Sequence, residues 1–391
     1  MRVPESFQPP RRILLGPGPS EVPPLVLQAM ARPTVGHLDP SFLALMDEVR
    51  AMLRAVGEGD YPLTMPMSGT GSFGMETCVV NAVEPGDRVV VGVHGVFGGR
   101  LAEVARRAGG EVLEVHAEWG RTLDPEAMRK AILAHSPKVV AVVQAETSTG
   151  VYLDLSPYRA MCDEVGALLL VDAVTSLGGV SVGLERFGID LMYSGTQKCL
   201  SCPPGLSPIA VSPRADEVLM RRKTRVQSWY ADLSLIRDYW GQSRAYHHTA
   251  PINLIYGLHE ALRLALLEGL DVRFERHREA SARLCRGLEA LGLELLVEPA
   301  DRLFPLTTVK VPDTIDGAGE ARVRKALLDG YGIEIGGGLG PLKGRVWRIG
   351  LMGHGATLVN ATVVIGALSA TMRQLGHAAS VDLVEALAAM G

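Results

Sequence analysis

The chain has 391 residues, of which 47% are hydrophobic and 21% are charged, and its formal net charge is −4. A chain of this length can form about two to three domains with large cores, and its slight negative charge gives no electrostatic support to the binding of nucleic acids or membrane surfaces. With no apolar stretch near the ~20 residues that span a bilayer, and with five sparse cysteines, it is predicted to be a cytoplasmic enzyme that acts on small molecules.

In chain order, the first predicted helix start is Asp39-Pro40, ahead of an amphipathic run over 41–56. Asp124-Pro125 and Ser156-Pro157 predict two further helix starts of the same kind, and a helix is predicted over 75–83. Apolar, β-branched runs without period-two alternation predict the strands Arg88–Val93, Glu111–Val115, Lys138–Gln144, Ala167–Asp172, Asp190–Ser194 and Ser207–Val211. This repeated strand–helix order predicts an α/β sandwich with right-handed crossovers and helices on both faces of a mostly parallel sheet.

The pattern changes near Gly269, where two long helices, Leu258–Glu268 and Val272–Leu291, are predicted to meet. The segments that follow are predicted as strands 294–297, 306–311 and 346–351, and as helices 319–328 and 358–375. We therefore predict three parts: an N-terminal arm (1–22), a large domain (23–268) and a smaller α+β domain (269–391). A ligand cleft is expected where the two domains meet.

Three segments of the large domain could bind a ligand. The glycine-rich string 68–74 (SGTGSFG) precedes a predicted helix and favours an anion site, although a tight turn or a dinucleotide site stays open; the latter lacks an acidic residue after the next strand. Asp172 ends a buried strand, where it could face a ligand or cap a loop. Lys198 follows another strand among small residues, where it could form a Schiff base or be a solvated surface lysine.

Together, a phosphate cup, a strand-end aspartate and a lysine 26 residues later match the needs of pyridoxal phosphate. The cup would hold the phosphate, the aspartate would keep the pyridine nitrogen protonated, and the lysine would bind the aldehyde. Two metal-like patterns are weaker. Cys199-x-x-Cys202 lacks a second pair, and the neighbouring His247 and His248 would point to opposite faces of a strand. No metal site is predicted.

The chain resembles the class V aminotransferases of pyridoxal phosphate fold type I, and within them the alanine–glyoxylate and serine–pyruvate group. The resemblance covers nearly the whole chain, in motifs that occur in the correct order: LLGPGPS (14–20), SGTGS (68–72), NAVEPGD (81–87), ETSTGV (146–151), LLLVDAVTSLGG (168–179), DLMYSGTQKCLSCPPG (190–205), YHHT (246–249), GGGLG (336–340) and WRIGLMG (347–353). It implies a large domain with a mostly parallel seven-stranded sheet between helices, and a smaller α+β C-terminal domain.

The resemblance also implies roles for individual residues. Lys198 would be the Schiff-base lysine and Asp172 the pyridinium partner. The other cofactor contacts that it implies are Ser68, Gly69, Thr70, Phe97, Thr147, Val174 and Gln197. Tyr246 and Thr249 would complete the neighbouring subunit's site in a homodimer. Arg348, Gly18 and Thr147 would contact the substrate, with the arginine pairing the substrate carboxylate.

The implied reaction moves the amino group of L-alanine or L-serine to glyoxylate or pyruvate. Phe97 stands where some members of the family have tryptophan and Thr70 where some have histidine, so the cofactor follows more firmly from the resemblance than the amino donor does. Ureidoglycine, aspartate or an aminophosphonate are the alternative donors, and Arg348 disfavours the last of them. A cysteine desulfurase would need a nucleophilic cysteine near the C-terminus, where Cys285 is the last one and is predicted to lie in a helix. A nucleotide-binding protein without pyridoxal phosphate is the remaining alternative.

Overall fold

Fourteen strands and thirteen α-helices occur in the computed structural model, which describes residues 1, 3–315, 317–377 and 383–390. The strands are β1 (Ile13–Leu14), β2 (Leu63–Ser68), β3 (Arg88–Val93), β4 (Glu111–His116), β5 (Val139–Val143), β6 (Ala145–Glu146), β7 (Val151–Tyr152), β8 (Leu168–Asp172), β9 (Leu191–Tyr193), β10 (Leu206–Val211), β11 (Leu306–Lys310), β12 (Ile333–Glu334), β13 (Gly336–Gly337) and β14 (Val346–Gly350).

The helices are α1 (Pro24–Met30), α2 (Pro40–Gly57), α3 (Gly71–Ala82), α4 (Val96–Arg107), α5 (Pro125–His135), α6 (Tyr158–Val165), α7 (Pro213–Met220), α8 (Leu233–Trp240), α9 (Ile252–Glu268), α10 (Leu270–Ala290), α11 (Gly317–Tyr331), α12 (Leu358–Gln374) and α13 (Leu383–Ala389). None of the helices in the described part of the chain is both long and apolar enough to span a bilayer.

The central sheet has seven strands in the order β2-β10-β9-β8-β5-β3-β4. Strand β10 runs antiparallel to both of its neighbours, and the other neighbouring strands pair in parallel. The predicted fold class is therefore confirmed, and all six predicted strands of this sheet are present. The seventh, β2, is antiparallel to the adjacent β10, so its chain direction matches that of β9. As a result β2, β3, β5, β8 and β9 end at the same edge of the sheet.

Burial follows the position of each strand in this sheet. The interior strands β5, β8, β9 and β10 are buried at every residue, whereas the edge strand β4 is only partly buried. A second hydrophobic core lies around β11, β14, α10 and α12, with Trp347 fully buried in it. Leu15 also packs into this second core, and β1 pairs with β12. Residues 13–15 of the predicted N-terminal arm thus pack with the C-terminal part of the chain, while the domain boundaries stay a prediction.

Most predicted helix starts are confirmed. The Asp39 side chain accepts a hydrogen bond from the Ser41 amide (2.8 Å) at the start of α2, and Asp124 caps α5 in the same way. Helices α9 and α10 meet at Gly269, whose φ of 86° lies in the left-handed region that glycine tolerates.

Two local predictions are wrong. Ser156 does not cap α6, because its amide and hydroxyl both donate to the side chain of Asp154 in a turn that ends before the helix begins. Residues 294–297 form a single bridge, between Leu295 and Val309, instead of a strand. The chain there soon enters a short 3₁₀ turn at Pro299–Asp301, which ends the pairing with β11.

Candidate active site

A cavity lies at the edge of the central sheet where the parallel strands end. Its walls come from the first turns of α3 and α4, from the ends of β5, β8 and β9, and from the loop before Lys198. The residues that line it are Gly71, Ser72, Met75, Phe97, Arg100, Val143, Ala145, Thr147, Asp172, Val174, Thr175, Tyr193, Gln197 and Lys198. Six of the residues predicted for the site are therefore brought together here: Phe97, Thr147, Asp172, Val174, Gln197 and Lys198.

Asp172 is the last residue of β8, and only 2% of it is exposed. One carboxylate oxygen accepts a hydrogen bond from the Val174 amide (2.8 Å) and the other from the Tyr193 hydroxyl (2.7 Å). Among the described residues, no cationic side chain lies within salt-bridge distance of it. Burial raises the pKa of Asp172 to about 7, and the nearby charge of Glu146 adds to this rise. The carboxylate is thus held in place by two hydrogen bonds and no salt bridge, and the more distant charge of Lys198 offsets the effect of burial only in part.

The Lys198 ammonium group lies on the same cavity, where its Nζ donates a hydrogen bond to the Pro17 carbonyl. Burial lowers the pKa of this lysine to about 8, and the positive charge of Arg348 lowers it further. Gly18 leaves the space that the lysine occupies, because a Cβ on Gly18 would lie 2.7 Å from Lys198 Nζ. The φ of Gly18 is +111°, which also favours glycine. The predicted substrate residue Gly18 therefore adjoins the lysine.

The glycine-rich string forms the start of α3, with Thr70 as the residue before the helix. The Thr70 carbonyl accepts hydrogen bonds from Phe73 and Gly74, while the amides of Gly71 and Ser72 have no acceptor among the described residues. Gly71 and Ser72 line the cavity, whereas the predicted residues Ser68, Gly69 and Thr70 do not. The Ser68 hydroxyl is instead 2.8 Å from His248 Nε2, so it is engaged outside the cavity.

Gln197 lines the cavity directly before Lys198. Its amide oxygen is buried and, within the described part of the chain, accepts no hydrogen bond. A buried amide oxygen without a partner indicates that a hydrogen-bond donor belongs beside it. Val174, which donates its amide to Asp172, lies close to the first turn of α3: a Cβ on Gly71 would be 3.3 Å from Val174 Cγ2.

Arg348 projects from β14 and is only 6% exposed. Its guanidinium donates to the Gly337 carbonyl (2.7 Å) and to the Thr147 carbonyl (2.9 Å), and no carboxylate forms a salt bridge with it among the described residues. Burial lowers the pKa of Arg348 to about 10. A buried guanidinium that is oriented by two carbonyls but lacks a counter-ion is suited to bind an anionic ligand.

Tyr246 and Thr249 lie outside this cavity, in a loop where both are exposed. The two histidines between them are not on a strand: His247 Nδ1 is 2.9 Å from His248 Nδ1, and His247 stacks on Trp229 with the ring centroids 4.4 Å apart. The described residues contain no cluster that could hold a metal ion. The loop therefore presents two exposed side chains on a base of packed aromatic rings.

All five cysteines are free and buried. The Cys199 thiol donates to the Thr175 carbonyl (3.1 Å), and burial raises the pKa values of Cys199 and Cys202 to about 12. Cys285 lies within α10 and is buried as well. None of these three thiols has the lowered pKa of a nucleophilic cysteine.

Eight of the residues that line the cavity were not among the predicted site residues: Gly71, Ser72, Met75, Arg100, Val143, Ala145, Thr175 and Tyr193. Tyr193 could have been found, because it ends the strand next to the one that ends in Asp172. Gly71 and Ser72 belong to the string 68–74 that was predicted to bind an anion, and the amides in the first turn of a helix have no partner within the helix. No sequence pattern predicted Arg100, because its position at the cavity depends on how far α4 turns before it passes the cavity. The Arg100 guanidinium lies 5.0 Å from the centre of the Phe97 ring.

Comparisons with known proteins agree with this geometry. The family model described as Aminotransferase class-V matches residues 13–342. The (S)-ureidoglycine–glyoxylate transaminase of Bacillus subtilis (strain 168) is 38% identical, over 97% of this chain and 94% of that protein. The alanine–glyoxylate aminotransferase of Drosophila melanogaster is 39% identical, over 96% of this chain and 95% of that protein.

A solved structure is also similar. The alanine–glyoxylate aminotransferase from Nostoc sp. superimposes with a TM-score of 0.93 at 49% identity, covering 95% of this chain and 98% of that one. At this identity and coverage the similarity extends over the central sheet and the C-terminal part together.

Proposed function

This chain belongs to the class V aminotransferase family, and from that premise we propose that it moves the amino group of L-alanine or L-serine to glyoxylate or pyruvate. The family depends on pyridoxal phosphate. The observation on which the proposal rests is the joint placement of three groups: a buried lysine, a buried aspartate without a cation, and a buried arginine without an anion.

The residues of the cavity fit pyridoxal phosphate. Asp172 forms no salt bridge among the described residues, so a protonated pyridine nitrogen could pair with it, and the free amides of Gly71 and Ser72 could bind the phosphate at the start of α3. The Gln197 amide could contribute its nitrogen as a further donor to the phosphate. Phe97 would stack on the ring, and Val174 would lie against its other face. We therefore propose Gly71 and Ser72 as phosphate contacts, beyond the predicted Ser68, Gly69 and Thr70.

Lys198 would hold the aldehyde carbon of the cofactor before the substrate arrives. When bound, pyridoxal phosphate supplies a ring that accepts the electron pair released as the substrate Cα–H bond breaks. The lowered pKa of Lys198 leaves a useful fraction of the amine neutral near pH 8, so its Nζ can take the Cα proton and return it to another carbon. Asp172 would keep the pyridine nitrogen protonated during this transfer.

Arg348 would bind the substrate carboxylate. Its planar fork can pair both oxygens of a carboxylate, and the carbonyls of Gly337 and Thr147 fix the direction in which the fork points. Thr147 lines the cavity and Gly18 adjoins Lys198, so we propose that both lie beside a small bound amino acid. These contacts favour amino acids with a free α-carboxylate over aminophosphonates.

Ureidoglycine is a second candidate donor, because a relative with 38% identity over 97% of this chain bears the name (S)-ureidoglycine–glyoxylate transaminase. Glyoxylate occurs in that name and in the name alanine–glyoxylate aminotransferase of other relatives, so we propose glyoxylate as the preferred acceptor. The proposal of alanine or serine as donor rests on the motifs that resemble the alanine–glyoxylate and serine–pyruvate group, and on the 49% identical relative from Nostoc.

Two experiments test the proposal. Borohydride reduction followed by peptide mapping should place a pyridoxyl group on Lys198, and an unmodified lysine would reject the cofactor assignment. A panel of L-alanine, L-serine, L-aspartate and (S)-ureidoglycine, each with glyoxylate and with pyruvate, should give the highest kcat/KM for alanine or serine with glyoxylate. A higher value for aspartate or ureidoglycine would replace the proposed donor and leave the transaminase assignment intact.

We also propose a homodimer in which Tyr246 and Thr249 reach the phosphate of the neighbouring subunit. Their exposure on a loop outside their own cavity supports this. The sparse, unpaired cysteines favour a reducing compartment, so we propose a cytoplasmic location. Sedimentation of the purified protein would test the dimer, and mixed dimers of Y246F and K198A subunits would test the shared site: a mixed dimer has one site with both defects and one with neither, so activity should reappear.

A further inference from the structure

Glu146 is a fully buried carboxylate beside the cavity that the proposed reaction does not use. It accepts four hydrogen bonds. One oxygen receives the Ser148 amide (3.0 Å) and the Ser148 hydroxyl (2.6 Å), and the other receives the amides of Phe97 (3.0 Å) and Gly98 (3.2 Å). An ionised carboxylate is an acceptor only, and it matches all four donors. Glu146 therefore joins two segments that lie about 50 residues apart in the chain.

The first segment is the start of α4. Its preceding residue, Gly95, has no side chain with which to cap the helix, so the Glu146 carboxylate takes that part from a distance. The negative charge also lies at the positive end of a twelve-residue helix. Phe97, whose ring lines the cavity, is the second residue of this helix, so its direction depends on how the first turn is held.

Gly95 makes this cap possible. A Cβ on Gly95 would lie 2.4 Å from Glu146 Cδ and 2.4 Å from Ser148 Oγ, which is far inside contact distance. The φ of Gly95 is 173°, an extended value that any residue adopts, so space and not backbone conformation is what requires glycine here. Gly95 and Glu146 are thus a matched pair.

The second segment is the turn at 146–150. The Glu146 carbonyl accepts the Gly150 amide (2.8 Å), and the Ser148 hydroxyl, besides donating to Glu146, accepts the Val96 amide (2.9 Å) from the start of α4. Thr147 lies between the two bonded residues, with its side chain at the cavity and its carbonyl on Arg348. The Glu146 carboxylate therefore fixes the position of Thr147. It also fixes the Thr147 carbonyl, which is one of the two carbonyls that orient Arg348.

We propose that Glu146 is a positioning residue that ties the helix containing Phe97 to the turn containing Thr147, and so sets the spacing of the cavity walls around the cofactor ring. The inference rests on the proposed use of that cavity for pyridoxal phosphate. Glu146 acts through Phe97, Thr147 and Arg348 and does not itself touch the reacting atoms. Its loss should therefore loosen and misorient the ring in addition to reducing turnover.

Two variants and two matched controls test this role. E146Q keeps the shape of the side chain but replaces one carboxylate oxygen, which accepts two hydrogen bonds, by an NH₂ group that donates. G95A keeps the carboxylate but adds a methyl group in the space that the carboxylate occupies. E103Q alters an exposed carboxylate on the same helix, where Glu103 pairs with Arg107, and G99A adds a methyl group at a helical glycine with nothing within 4 Å. Each protein is freed of cofactor and titrated with pyridoxal phosphate; the dissociation constant, the visible circular dichroism at saturation and the melting temperature of the apoenzyme are measured.

We expect E146Q and G95A each to raise the dissociation constant about 10-fold to 100-fold, as the loss of one or two charge-assisted hydrogen bonds implies. Their visible circular dichroism at saturation should fall to less than about half, because a ring between misplaced walls loses its fixed orientation, whereas both controls stay near the wild type. The inference is overturned if both variants retain the wild-type affinity and dichroism, or if only the melting temperature and affinity fall while the dichroism at saturation is unchanged. If the wild type itself binds no pyridoxal phosphate, the proposed function fails instead.

Discussion

Asp172 should stabilise the apoenzyme less than an amide would, although the reaction depends on it. In D172N the amide oxygen can still accept the Val174 amide, and the amide nitrogen can donate to the Tyr193 hydroxyl, so both present hydrogen bonds have replacements. What the substitution removes is a buried negative charge that has no cationic partner among the described residues. We therefore expect a more stable apoenzyme and an inactive holoenzyme.

The size of the effect follows from the pKa of Asp172, which rises from 3.8 to about 7 on folding. A carboxyl group with a raised folded-state pKa costs no stability below its unfolded pKa, and its cost grows as the pH rises towards the folded value. Over this range the shift corresponds to about 4 kcal/mol at pH 8 and about 2 kcal/mol at pH 5. D172N should thus raise the free energy of unfolding of the apoenzyme by up to these amounts, with the larger gain at pH 8.

Urea denaturation of cofactor-free wild type and D172N, at one protein concentration and at both pH values, measures this difference. The loaded D172N enzyme should lose at least about 100-fold in kcat/KM, because a neutral amide cannot keep the pyridine nitrogen protonated. A gain in stability that is equal at pH 5 and pH 8 would refute the electrostatic reasoning. So would a D172N apoenzyme that is no more stable than the wild type at pH 8.

Three further outcomes are expected. R348K should raise KM for the amino donor about 10-fold to 100-fold with a smaller change in kcat, because an ammonium group cannot pair both carboxylate oxygens. Steady-state kinetics in which kcat falls and KM stays unchanged would contradict this. G18A should lower kcat at least about 10-fold, since its Cβ would lie 2.7 Å from Lys198 Nζ, whereas G366A, at a helical glycine with nothing within 4 Å, should match the wild type in the same assay. Iodoacetamide at pH 8 should leave Cys199 and Cys202 unlabelled in the native enzyme, as mass spectrometry of the digest would show, because burial raises the pKa of both thiols to about 12; rapid labelling of either would disprove it.

Local pattern was enough to predict the elements of the central sheet. The run from Leu168 to Asp172 is continuously apolar up to its last residue, which is typical of a strand covered on both faces, and the structure buries every residue of it. Strand β2 was missed although it borders β10, because its residues include a proline and two methionines and lack a β-branched run. The segment 294–297 shows the opposite error, because a strand was predicted there and only a single bridge at Leu295 is present. The chain turns away at Pro299 and the pairing ends.

The candidate site was predicted in part. Asp172 and Lys198 could be found because the first ends β8 and the second lies in the loop after β9, and parallel strands end at one edge of a sheet. Arg348 follows no such rule: it lies 150 residues after Lys198, on a strand of another sheet, and came only from resemblance to a family. The phosphate contacts were predicted at Ser68 to Thr70, and the structure adds Gly71 and Ser72, which line the cavity and whose amides have no acceptor among the described residues.

The sequence by itself determined the kind of sheet, the order of strands and helices along the chain, and the types of side chain at the strand ends. These features depend on the hydrophobic period and on residues that start or stop an element. Only the tertiary structure decided which of those side chains lack a partner. Whether Asp172 has a cation, Arg348 an anion or Glu146 four donors depends on segments far apart in the chain, and on glycines such as Gly18 and Gly95 that leave space for a neighbour. Such pairings are set by packing in three dimensions, which no local pattern records.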